Sequence, residues 1–298
     1  MSSIKSPERI IPTEEKNVTE KNTLYLVGTP IGNLSDITER AKKVLSEVDF
    51  IAAEDTRASG RLLSYYGIKK PLISYFEHNK RERGEVIVNR IIETGESCAL
   101  ITDAGMPAIS DPGEDIVRLC ADKGVRVSVV PGPCAAVSAL AMSGLFTGKF
   151  VFEGFLPTGK SERREALDSL IDEKRTIIFY EAPHKLQRTL DDLLKAFGNR
   201  KISLCRELTK INEEVIRTTL EGAVSYYEER EPRGEYVLIM EGASKEELIS
   251  RAFWADMTVE EHVDHYLAEG MSKNDSIKAV ARDRGVAKSE IYNAVMIK

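Results

Sequence analysis

Cys98 to Gly113 reads CALITDAGMPAISDPG, and the rest of the chain repeats its plan. Four strand-type residues feed a loop holding two Gly and two Pro, and the helical pattern EDIVRLCADKG follows directly. Strand, glycine-proline loop and helix in that order are how open α/β sheets build a ligand crevice at their carboxyl edge. Asp103 stands at the strand end, where its carboxylate either points into the crevice or caps the following helix. Gly105 and Gly113 permit close backbone approach or positive φ, while Pro107 and Pro112 stiffen the path. Loops punctuated this densely carry binding and catalytic groups.

Outward from this unit, apolar runs alternate with amphipathic ones. TLYLVG (23–28), DFIAA (49–53), PLISY (71–75), SCALIT (97–102) and RVSVVP (126–131) are strand candidates. Between them lie helical patterns such as ITERAKKVLSEV, with Ile37, Ala41, Val44, Leu45 and Val48 on one face. Asp36 with Glu39 three residues on predicts a capping box for that helix. Repeated βα alternation predicts a largely parallel sheet covered by helices. A second set, KFVFEGF, TIIFYEA, KISLCREL and EYVLIMEG, begins near Lys149, and IRTTLEGAVSYYEER supplies an extra strand as well as a helix. The small-residue stretch 131–149 marks the boundary. The expected units are a polar tail (1–22), an N-terminal α/β lobe (23–131), a C-terminal α/β lobe (132–252) and a helical unit (253–298), with a cleft between the lobes.

Bulk properties narrow the function classes. The 298 residues are 42% hydrophobic and 30% charged, which is ordinary for a globular protein. No apolar run reaches the length of a membrane span, and the N-terminus lacks the apolar core of a signal peptide. Cys98, Cys120, Cys134 and Cys205 match neither a metal-ligand spacing nor a compact disulfide framework, so a reducing cytoplasm is expected and no metal. The net charge of −6 argues against a generic nucleic-acid coat protein.

LVGTPIGN (26–33) ends the first strand but lacks the G-x-G-x-x-G dinucleotide fingerprint. EDTR sets Glu54, Asp55 and Arg57 at the end of the second strand. GFLPTGKS (154–161) formally matches a phosphate-binding loop, yet Pro157 removes an N–H that such a loop must present. Lys160, Arg163 and Arg164 read instead as an exposed basic patch. PGPCAA (131–136) starts a helix directly after a strand, so its free N–H groups face the same edge as Asp103. His78 and His184 have no Ser or Cys partner at a recognisable spacing, so nucleophilic catalysis has no support. In the tail, 256–269 holds five acidic residues and no Lys or Arg, whereas 270–298 holds six Lys or Arg against three acidic. SIKAVARDR, a turn at Gly285 and KSEIYNAVM read as a helix-turn-helix or as a small helical cap, and the basic excess favours nucleic acid.

LYLVGTPIGNLSDIT, AAEDTR, LITDAGMPAISDPG, VVPGPCAAVSAL, FVFEGFLP, FYEAPHKL, CRELTK and RGEYVLI, taken in order, resemble the ribosomal RNA small-subunit methyltransferase I family. These are 2′-O-ribose methyltransferases within the tetrapyrrole-methylase superfamily. The resemblance runs from about Leu24 to Gly242, and the tail is similar to that family's helix-turn-helix domain. Departures are conservative: RGE stands where KGE is common, and Lys185 where Arg is common. The resemblance implies a two-lobed class III methyltransferase fold with S-adenosylmethionine between the lobes. It implies methylation of the 2′-hydroxyl of a cytidine in 16S rRNA of the small ribosomal subunit, and a homodimer. By similarity, cofactor contacts fall on Pro30, Asp103, Met106, Ile109, Cys134, Ala135, Tyr180, Glu181, Leu208 and Gly234. Methyl transfer from a sulfonium is an in-line displacement, so alignment carries much of the rate. A ribose hydroxyl needs help losing its proton. Glu54 or Glu181 is expected to assist, with Arg57, His78 and His184 orienting the nucleotide. Lys160, Arg163, Arg164, Lys273, Lys278, Arg282, Arg284 and Lys288 are expected to bind RNA phosphates. Two rival readings are a methyltransferase of this fold acting on a tetrapyrrole, and a non-catalytic ribosome-binding protein.

Overall fold

The computed structural model describes residues 18–296. Most of the expected polar tail, residues 1–17, and the final two residues lie outside that range.

The first five strands are β1 (Thr23–Val27), β2 (Phe50–Ala53), β3 (Leu72–Ser74), β4 (Cys98–Ile101) and β5 (Arg126–Val130). Between them run α1 (Glu39–Glu47), α2 (Thr56–Tyr65), α3 (Lys80–Thr94) and α4 (Glu114–Asp122). All pairings are parallel, in the order β3-β2-β4-β1-β5. Alternating side chains divide between two cores. Tyr25, Val27, Ile51, Ala99 and Ile101 pack with Val44, Leu45 and Leu63 on one face. Leu24, Phe50, Ala52 and Leu100 pack with Ile87, Ile91 and Ile116 on the other. Burial on both faces is why these strands read as unbroken apolar runs. One expectation fails locally. Asp36 lies in a short 3₁₀ turn, and Thr38 caps α1 by accepting a hydrogen bond from the Ala41 N–H.

After α5 (Ala135–Ser143) come β6 (Phe150–Phe155), α6 (Lys160–Ser169), β7 (Thr176–Glu181), α7 (Leu186–Phe197), β8 (Lys201–Arg206), β9 (Glu214–Thr219), α8 (Leu220–Glu228) and β10 (Tyr236–Met240). Their order is β6-β7-β10-β8-β9. This sheet departs from the parallel plan of the first, because only the β6–β7 pairing is parallel. β8 turns back into β9, and β10 inserts antiparallel between β7 and β8. Strand direction depends on which slot a strand fills, and periodicity does not encode the slot. Ala136, Ala139 and Leu140 of α5 cover one face of this sheet with Ile178, Cys205 and Ile239. Leu190, Leu193 and Phe197 of α7 cover the other, with Phe179, Leu204 and Leu238.

The tail comprises α9 (Lys245–Arg251), α10 (Val259–Ala268), α11 (Lys273–Arg284) and α12 (Lys288–Met296). The acidic stretch is mostly α10, whose Glu260 and Glu261 favour its positive N-terminus and whose Thr258 and Glu261 form a capping box. Val263, Ile277, Val280 and Ile291 make a small core of their own, and Gly285 in the left-handed region joins α11 to α12.

Candidate active site

The carboxyl ends of the first sheet face the second across a cavity of about 500 Å³. Two glycines set how closely its floor is drawn together. A Cβ on Gly28, at the end of β1, would meet the Gly132 Cα at 2.6 Å, so only glycine fits where the β1 and β5 loops touch. Thr29 and Gly105 exchange backbone hydrogen bonds of 2.9 and 3.2 Å, which tie the TPIGN loop to the TDAGMPAISDPG loop. Within the latter, Ala108 and Ser110 adopt positive φ of 68° and 62°; across the cavity, Glu207 and Thr209 do the same at 51° and 65°. Non-glycine residues held there store strain, which concentrates at binding sites.

Seven of the expected cofactor residues line this cavity: Met106 and Ile109 from the loop after β4, Cys134 and Ala135 at the start of α5, Tyr180 and Glu181 at the end of β7, and Leu208 after β8. The Tyr180 hydroxyl accepts a 3.0 Å hydrogen bond from the Ala136 N–H, and burial pushes its pKa up to about 12. Its ring packs edge-on against Phe152 and Phe155 at 5.0 and 5.5 Å. Glu181 is 3% exposed. One of its carboxylate oxygens accepts from the Ala182 N–H and the other from the Thr189 hydroxyl.

The remaining three fall elsewhere. Pro30 and Asp103 line a second cavity of about 530 Å³ that shares Ile31, Ala104, Lys210 and Glu235 with the first. The Asp103 carboxylate accepts the Asp55 N–H at 3.3 Å. Gly234 lines neither cavity; the space where its Cβ would sit holds Glu207, whose carboxylate accepts the Glu235 N–H. Lys210 pairs with Glu207 at 2.9 Å and Glu235 at 2.8 Å, clamping the wall between the two cavities.

Three acids lie near one another here: Asp103 in the lining of the second cavity, Asp111 in that of the first, and Glu54. Glu54 is half-buried, and burial together with the nearby charges of Asp103 and Asp55 pushes its carboxyl upward. Asp111 lines the first cavity, and burial with the charges of Glu54 and Asp103 pushes its pKa up to about 6. Sequence reasoning passed over Asp111. Its place between Ser110 and Pro112, in the most punctuated loop of the chain, was the available signal. Arg57 is exposed at the start of α2, and its N–H donates to the capping carboxylate of Asp55. His184 lines the first cavity, whereas His78 lies outside both on the loop after β3.

Two expected phosphate contacts are corrected. Arg163 is 6% exposed and spends its donors on Asp192, Thr189 and the Pro157 carbonyl, because the phase of α6 turns it inward toward α7. Arg284 bonds the Met257 and Thr258 carbonyls and lies over the Trp254 ring, so it locks the tail helices together. Lys160, Arg164, Lys273, Lys278, Arg282 and Lys288 remain exposed. In the GFLPTGKS loop, the Glu162 carboxylate occupies the space beside Gly159, a negative charge where a phosphate loop needs none. Among the described residues no group of three or more His, Cys, Asp or Glu is placed to hold a metal ion, and no helix is long and apolar enough to cross a membrane.

The model of the tetrapyrrole (corrin/porphyrin) methylases matches residues 23–224. The fold agrees with that of a cobalt precorrin-4 methyltransferase of cobalamin biosynthesis, at a TM-score of 0.55 and 18% identity over 74% of this chain and 95% of the other. A diphthine synthase aligns at a TM-score of 0.57 and 14% identity, over 74% of this chain and 90% of its own. Among curated relatives, a Halalkalibacterium halodurans protein named ribosomal RNA small subunit methyltransferase I is 50% identical over 92% of this chain and 94% of its own. Its Bacillus subtilis namesake is 44% identical over 94% and 96%. The chain belongs to the tetrapyrrole methylase family, and within it to the ribosomal RNA small subunit methyltransferase I group that these relatives represent. The cofactor of this family is S-adenosylmethionine.

The first cavity fits that cofactor. Its volume lies in the small-molecule range, and Met106, Ile109, Leu208 and Val237 give it apolar walls for an adenine and a thioether chain. Asp111 and Glu181 supply negative charge toward a sulfonium and an ammonium. The N-terminus of α5, where Cys134 makes no side-chain cap, offers N–H groups to a carboxylate.

Proposed function

We propose that this chain methylates the ribose 2′-hydroxyl of a cytidine in 16S rRNA of the small ribosomal subunit, in the cytoplasm and as a homodimer. The observation that carries the reading is the half-buried Asp111, in the wall of a cavity that fits S-adenosylmethionine and within reach of the Glu54 charge, in a chain 50% identical to a protein named for ribosomal RNA methylation.

The bound cofactor supplies an electrophilic methyl group on a positively charged sulfur. The protein's part is to hold the acceptor oxygen in line with it and to take the hydroxyl proton. Glu54 and Asp111, both pushed up toward neutrality, suit that proton transfer. Both Glu181 oxygens already accept hydrogen bonds, so Glu181 shapes the cavity rather than moving the proton. Arg57, exposed at the start of α2, orients the nucleotide, whereas His184 lines the cofactor cavity and His78 lies outside both cavities. Phosphate binding falls to the groove between α6 and α7, where Arg188 and Lys195 join Lys160 and Arg164, and to Lys273, Lys278, Arg282 and Lys288 of the tail. The units 23–131 and 132–252 line the cofactor cavity together, the first also supplying the acids Glu54 and Asp111, and 253–298 is an RNA-binding helix-turn-helix.

The test is tritium transfer from labelled S-adenosylmethionine into small subunits, free 16S rRNA and a corrinoid precursor. A ribose methyl makes the adjacent phosphodiester resist alkaline cleavage. Label in small subunits at one alkali-resistant cytidine is expected, with Glu54→Gln and Asp111→Asn each slowing turnover about a hundredfold. Label in the corrinoid alone, or in no substrate, overturns the function. Near-native turnover in both variants overturns the roles of the acids.

A further inference from the structure

We infer that the second cavity is the acceptor site, receiving the target nucleotide with its base against Tyr65 and its phosphate at Arg61. The inference rests on the RNA-methylating reading above. Four observations lead to it.

The cavity, about 530 Å³, lies between the TPIGN loop and α2. It adjoins the cofactor cavity, sharing with it Ile31, Ala104 and the Lys210–Glu235 pair. Because in-line transfer needs the acceptor oxygen and the methyl in direct contact, the reaction is placed where this shared lining parts rather than through it.

Its lining is suited to a nucleotide. Tyr65 is 66% exposed on α2, the kind of open aromatic face on which a base stacks. Tyr65 is braced from behind: Tyr66 meets it edge-on at 5.1 Å and is itself pinned by a hydrogen bond from its hydroxyl to the Leu34 carbonyl. Arg61, one turn earlier on α2, is exposed at the rim as a cation for a phosphate.

Ser59 is the third observation. It is 3% exposed, it lines this cavity, and its hydroxyl has no hydrogen-bond partner among the described residues. Buried hydroxyls are nearly always paired, and this one, with no accessible surface of its own, is an unmet polar group just beneath the cavity wall.

The floor is the fourth. Asp103 and Thr102 close the cavity below, and Glu54 with its raised carboxyl lies beside Asp103. A ribose hydroxyl on this floor meets the acid cluster and the shared wall together. A nucleotide inside an RNA fold reaches such a recess only by leaving its stack.

Kinetics on small subunits lacking the modification, with calorimetry of S-adenosylmethionine binding, test the assignment. Tyr65→Ala is expected to raise the KM for small subunits about tenfold or more, the loss of one stacked base. Cofactor affinity should stay unchanged, and Tyr65→Phe should restore the KM. Arg61→Gln is expected to raise KM and to flatten the salt dependence of binding by about one phosphate contact. If the wild type labels small subunits but both Tyr65→Ala and Arg61→Gln keep KM within about twofold, the acceptor site lies elsewhere while the function stands. Equal weakening of cofactor binding in Tyr65→Ala would also overturn it, by making the recess part of the cofactor site. So would a change of oligomeric state in sedimentation velocity, which would make Tyr65 an interface residue. A wild type that labels nothing overturns the function and this site with it.

Discussion

Gly28 and Gly132 meet backbone to backbone beneath the cofactor cavity: a Cβ on Gly28 would lie 2.6 Å from the Gly132 Cα and 2.8 Å from the Met106 Sδ. Neither backbone can retreat without shifting a strand, because Gly28 also donates to the Val130 carbonyl at 3.1 Å. Gly28→Ala is therefore expected to cost about 1–3 kcal/mol of stability, as overpacking does. It should also weaken S-adenosylmethionine binding through Met106. Thermal melts and calorimetry on the variant read both effects, and an unchanged cofactor affinity would show that the contact is only structural.

The acid cluster sets a pH dependence with two opposite signs. Asp111 must be ionised to accept a proton, so kcat/KM should fall as pH drops through about 6. Folding responds the other way. The folded-state pKa is raised above the unfolded value, so the native state binds the proton more tightly, and this group's contribution to stability grows as pH falls from about 6 toward 4. Asp111→Asn should remove the acidic limb of the rate profile attributed to this group.

Cys134 is half-buried in the cofactor cavity wall, whereas Cys98, Cys120 and Cys205 are buried and have their thiols pushed up by burial, Cys120 to about 11. In the native protein iodoacetamide should modify Cys134 first, and saturating S-adenosylmethionine should slow that reaction at least tenfold; protection follows the ratio of ligand to its dissociation constant. Peptide mapping with and without cofactor decides it. Equal labelling would place the cofactor away from the start of α5.

Arg163 and the exposed cations around it should separate in their effects. Arg163→Ala strips a buried charge from Asp192 and a donor from Thr189, a change that costs about 3–5 kcal/mol where the pair is fully buried and less here, since Asp192 is partly exposed. Lys160→Glu with Lys195→Glu should leave the melting temperature nearly unchanged. It should reduce the salt slope of small-subunit binding by about one unit per lost contact. A salt slope lowered by Arg163→Ala alone, without loss of stability, would return Arg163 to the RNA-binding surface.

Much of this molecule was legible in one dimension because local physics wrote it. The five parallel strands and their helices show as apolar runs and one-faced periodicity. The Gly-Pro loops announce the carboxyl edge, and seven of the ten cofactor residues carried over from the family resemblance line the cavity found there. What the tertiary structure alone decided is relational. Strand order set β9 and β10 against the other three strands of the second sheet. The phase of α6 buried Arg163, and the fold of the tail consumed Arg284. Asp111 became a half-buried acid only because Glu54 and Asp103, 57 and 8 positions before it in sequence, are brought beside it in space. A strand or a turn is set by its neighbours in the chain. The charge state of an acid, and whether a cation is free to bind phosphate, is set by neighbours in space.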